Sequence, residues 1–130
     1  MQKLYEITKR DPRYDMEAYL FLREALEFTV QKIKKTSRGP MRHVSGAELA
    51  DGFREYALEQ FGPLTFTVLA KWGIKRTEDI GAIVFNLVEA GELGKTDEDS
   101  PEDFNNLYDF YEAFQKPFEP INTKQKENHE

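Results

Sequence analysis

The chain has 130 residues, no cysteine and a formal net charge of −6, with hydrophobic residues at 39% and aromatics at 13%. That length suits one domain with a single core. The apolar content argues against disorder of the whole chain, and the lack of cysteine excludes disulfides, thiolate metal sites and a cysteine nucleophile. No run approaches the roughly 18 apolar residues of a membrane helix, and the opening MQKLYEITKRDPRY lacks the apolar stretch and cleavage site of a signal peptide. A soluble, cytoplasmic protein without membrane partners is expected.

In chain order, Leu4, Tyr5 and Ile7 predict a short first helix. Asp11-Pro12 should end it, because the residue before proline is pushed out of the helical region. After the turn DPRY, Asp15 can cap a long helix reaching about residue 35. Ala18, Phe21, Leu22, Ala25, Leu26, Val30 and Ile33 make its stripe at helical period, widened by Tyr19, Leu20 and Phe28. Gly39-Pro40 marks a loop. Ser45 and Glu48 then stand at capping-box spacing, which predicts a third helix with Leu49, Ala50, Phe53, Ala57 and Phe61 inward, closed at Gly62-Pro63. A shorter helix over 63–72 should bury Leu64, Val68, Leu69 and Trp72 and stop at Gly73.

The strongest pattern follows. Ile80, Ile83, Val84, Leu87 and Val88 fall at i, i+3, i+4, i+7 and i+8, the signature of a buried helical face, with Thr77 as the expected N-cap and a stop at Gly91. Together with the preceding helix this reads as a helix-turn-helix. Residues 92–96 and 105–108 are expected as two short strands of a wing, with Ser100 capping a single helical turn between them. Asp109 and Glu112, again at capping-box spacing, predict a last short helix presenting Phe110, Tyr111 and Phe114. The fold class expected is therefore mainly α, a single helical domain over 1–116 with a winged-helix-like second half, followed by a polar, disordered tail over 117–130.

The pattern Val84-x-x-Leu87-x-x-x-Gly91-x-Leu93 resembles the end of the third helix of winged-helix domains, where an apolar residue opens the wing. DPRY at 11–14, HVSG at 43–46, FG at 61–62, WGI at 72–74, DIG and IVFNLVE within 79–89, and YDF at 108–110 resemble an uncharacterised family of small bacterial proteins. That second resemblance covers the chain to about residue 114. It implies one natural domain and supplies no active-site residues.

Charge divides the chain. Residues 1–44 hold ten Lys/Arg and six Asp/Glu, and residues 45–130 hold eight and eighteen. The one basic concentration, Lys32, Lys34, Lys35, Arg38 and Arg42, suits the negative end of a helix dipole followed by a solvated loop, and it is also the best candidate for phosphate contact. A winged helix reads DNA with the outer face of its third helix. Here helical rotation places Glu78, Phe85, Glu89 and Glu92 on that face, and three carboxylates repel a phosphate backbone. An aromatic on an acidic face is instead a contact anchor for protein. His43 and His129 form no pair for zinc or a triad, so an enzyme using His43 with Glu48 ranks third. The acidic stretch 97–103 lacks the ligand spacing of a calcium loop.

These readings predict a non-enzymatic protein-interaction or regulatory module without metal or cofactor, its partner surface being Glu78, Phe85, Glu89 and Glu92. The alternative is a nucleic-acid or ribosome-associated protein using the basic segment 32–43.

Overall fold

The computed structural model describes residues 2–36, 43–94 and 99–120. Five α-helices carry the chain: α1 (Gln2–Arg10), α2 (Met16–Thr36), α3 (Gly46–Phe61), α4 (Thr65–Lys71) and α5 (Thr77–Glu89). A 3-10 turn, Gly62–Leu64, joins α3 to α4, and the C-terminal part adds the 3-10 turn Pro101–Phe104, the π-helical turn Tyr111–Gln115 and the 3-10 turn Lys116–Phe118. The last turn runs past the expected domain end at 116, and residues 121–130 of the expected tail lie outside the described residues.

Local chemistry explains most boundaries. The Asp15 carboxylate accepts from the Glu17 amide at 2.9 Å and starts α2. Ser45 and Glu48 close a reciprocal capping box on α3, with the two bonds at 3.1 and 3.0 Å. Helix α3 stops at Gly62, whose positive φ of 50° a residue with a side chain rarely adopts.

The core lies between α2, α3 and α5. Ile80, Ile83 and Leu87 of α5 are fully buried, as their spacing predicts, and so are Leu22 and Ala25 of α2 and Phe53 and Ala57 of α3. Helices α2 and α3 form the largest helix pair. They approach so closely that a methyl group on Gly52 would lie 1.9 Å from the Thr29 hydroxyl. Phe21 anchors an aromatic cluster at their α4 end, meeting Phe53 edge-on at 5.4 Å and Trp72 at 5.5 Å. Leu4 and Ile7 of α1 are buried despite the helix's narrow apolar face, while most of its other residues are exposed.

Four expectations need correction. No strand occurs among the described residues, and the winged-helix wing is absent from them. Residues 92–93 and 105–108 are turns and bends and 94 is irregular, while 95–96 lie outside the described residues. The amides that a wing strand would pair are engaged elsewhere: the Asn106 amide donates to the Glu78 carboxylate and the Leu107 amide to the Thr77 hydroxyl, both at 3.1 Å. Thr77 is consequently not the N-cap of α5. That position is Arg76, and the Asp79 carboxylate reaches back to the Lys75 and Arg76 amides at 2.8 and 3.2 Å. Leu64, expected inside, is exposed, because the chain after Pro63 makes a 3-10 turn before α4 begins. Phe104, for which no inward role was expected, is buried between α3 and α5.

DPRY, WGI and polar residues of α5 meet at one junction. The Asp11 carboxylate accepts from Arg13 Nε and Nη2, both at 2.8 Å, and from Asn86 Nδ2 of α5 at 2.9 Å. The same Asn86 amide reaches the Tyr19 hydroxyl at 3.0 Å. The Tyr14 hydroxyl donates to Asp79 at 2.5 Å, and the Asp15 amide to the Trp72 carbonyl at 3.1 Å. Gly73, at φ 95°, lets the Arg13 carbonyl come within 2.1 Å of where a Cβ would stand. DPRY, WGI and the polar residues of α5 therefore lock the α1–α2 turn onto the α4–α5 link.

Candidate functional site

Beside the core, α2, α3 and α5 enclose a cavity of about 470 Å³. Its position follows from the helical wheel. Ile80, Ile83 and Leu87 take the inner face of α5, Val84 and Val88 the adjoining sector and Phe85 the far side beyond them, and these last three are only half-buried. Leu26 and Val30 come from the C-terminal half of α2, and Val44 and Leu49 from the start of α3. Leu93 and Phe104 complete the apolar wall. The volume falls within the range of ligand pockets, about 300–1,000 Å³.

The mouth is polar. His43 Nε2 lies 2.7 Å from Asp99 Oδ2, and both residues line the cavity together with Asp103. The pair ties the segment leading into α3 to the segment leading into the Pro101–Phe104 turn. That turn is itself held by a box in which the Asp103 carboxylate accepts from the Ser100 amide at 3.0 Å and the Ser100 hydroxyl from the Glu102 amide at 3.3 Å. Phe104 can then pack closely on Gly46 and Gly81: a Cβ at Gly81 would stand 2.9 Å from the Phe104 Cβ, and one at Gly46 would stand 3.2 Å from its ring. Periodicity offers no signal for the His43–Asp99 pairing, since the two residues belong to loops far apart in the chain.

The sequence-derived residues separate in three dimensions. Phe85 lines the cavity instead of standing on an acidic outer surface. Glu78 is held by the Asn106 amide at the start of α5. Beyond the end of α5, Glu92 meets Lys3 at 3.8 Å and Arg23 at 3.7 Å, and Glu89 is exposed. In the basic set, Lys32 pairs with Glu55 and lies 3.9 Å from Asp51, and the hydrogen bond to Glu55 pushes its pKa up. Lys34 and Lys35 are exposed in the last turn of α2, while Arg38 and Arg42 lie outside the described residues. The carboxylate that His43 meets is Asp99, whereas Glu48 accepts from the Ser45 amide in its capping box. Among the described residues no cluster of three potential metal ligands occurs, and no helix is long and apolar enough to cross a membrane.

Set against protein-family models, curated proteins and solved structures, the chain matches none significantly.

Proposed function

We propose that this protein is a non-enzymatic protein-interaction module and that its docking element is the cavity between α2, α3 and α5. The observation that carries this reading is an apolar wall drawn from three helices and left open beside the His43–Asp99 mouth. Seating an apolar side chain there removes it from water, which is worth roughly 1.5–3 kcal/mol per side chain. A few such anchors dominate the energetics of most interfaces. Phe85, read from the sequence as a contact anchor, serves in this reading as part of the receiving wall.

A random-peptide display selection on the full chain tests it. Recovered peptides should share a large apolar residue, and their binding should fall by at least about tenfold on the cavity-filling variant Val88→Trp, a loss of about 1.4 kcal/mol or more. Val84→Phe provides a second filling variant, with circular dichroism and thermal melting as the control for folding. Selected peptides without an apolar anchor, or equal binding to both filled variants, would overturn the reading.

The alternative, nucleic-acid binding by the segment 32–43, is supported by the exposure of Lys34 and Lys35 but weakened by the pairing of Lys32 with Glu55. A gel-shift titration at low salt decides it. Binding that weakens with salt and with substitution of the basic residues by Gln supports the alternative, and no binding removes it.

A further inference from the structure

We draw no further inference here: the strongest candidate, the exposed apolar patch formed by Tyr111 and Phe118 on the C-terminal turns, where Tyr111 meets Phe66 of α4 edge-on at 6.1 Å, carries nothing because nothing in the structure shows what covers it.

Discussion

Phe104 rests directly on Gly81: a methyl group on the glycine would come within 2.9 Å of the Phe104 Cβ and 3.0 Å of two further atoms of that side chain. The contact joins the C-terminal segment to α5 where a wing was expected. It also places the Asp99–Asp103 stretch at the cavity mouth. Gly81→Ala should force the segment away and destabilise the fold by about 1–3 kcal/mol, and Phe104→Ala should cost about 3–5 kcal/mol through the cavity it leaves. Phe104→Ala removes the two ring contacts at 3.0 Å but keeps the Cβ at 2.9 Å, so in that background Gly81→Ala should cost less than it does alone while remaining destabilising. Urea unfolding of the two single variants and the double variant measures this, and additive losses would contradict it.

Thr77 offers a second test, because its side chain serves a distant amide instead of its own helix. Its hydroxyl accepts from the Leu107 amide at 3.1 Å, and the residue is fully buried. Thr77→Val keeps the shape and removes the acceptor, at an expected cost of about 1–3 kcal/mol. Hydrogen exchange should accelerate at the Leu107 amide, and Thr77→Ser should restore protection there. Acceleration confined to the first turn of α5 would instead mark a helix cap.

The pH dependence of stability should be a plateau with two edges. The Arg13 guanidinium, hydrogen-bonded to Asp11, holds that carboxyl well below the usual carboxylate range despite its burial. A depressed folded-state pKa means the contribution is present above the unfolded value of about 4 and is lost as pH falls below it. Asp11→Asn should flatten the acid edge. At the other end, burial pushes the Tyr108 hydroxyl up, and that hydroxyl donates to the Ala50 carbonyl at 2.6 Å. Burial first, and then the hydrogen bond to Asp79, raises Tyr14 in the same way. A raised folded-state pKa gives stability that is complete below the ordinary tyrosine value of about 10 and is lost as pH rises through the folded value. Tyr108→Phe should lower stability on the plateau and reduce, but not abolish, the alkaline slope, because Tyr14 remains. Urea midpoints measured across pH check both edges.

The legible parts of this fold were those set by neighbours in the chain. The box at Ser45 and Glu48, the cap at Asp15, the turn capped by Ser100 and the stripe Ile80, Ile83 and Leu87 each depend on residues within a helical turn or two. Thr77 was misread because a threonine before Glu78 and Asp79 has the local form of a cap, and the competing partner, Leu107, belongs to a distant turn. The wing was misread for the same reason: the amides of Asn106 and Leu107 found side-chain acceptors on α5, which no strand propensity reveals.

By itself, the sequence determined five helices, most of their ends and the inner face of α5, because capping, proline and helical periodicity act over a few residues. Only the tertiary structure decided which faces were left uncovered. Phe85 falls opposite the fully buried stripe on a helical wheel, yet the crossing of α2 and α3 and the seating of Phe104 turn its sector into the wall of a cavity. His43 and Asp99, unremarkable in their separate loops, meet at its mouth because those loops are held by caps on opposite sides of it. Side-chain periodicity specifies what a helix hides, whereas the packing of non-local elements sets what it leaves open.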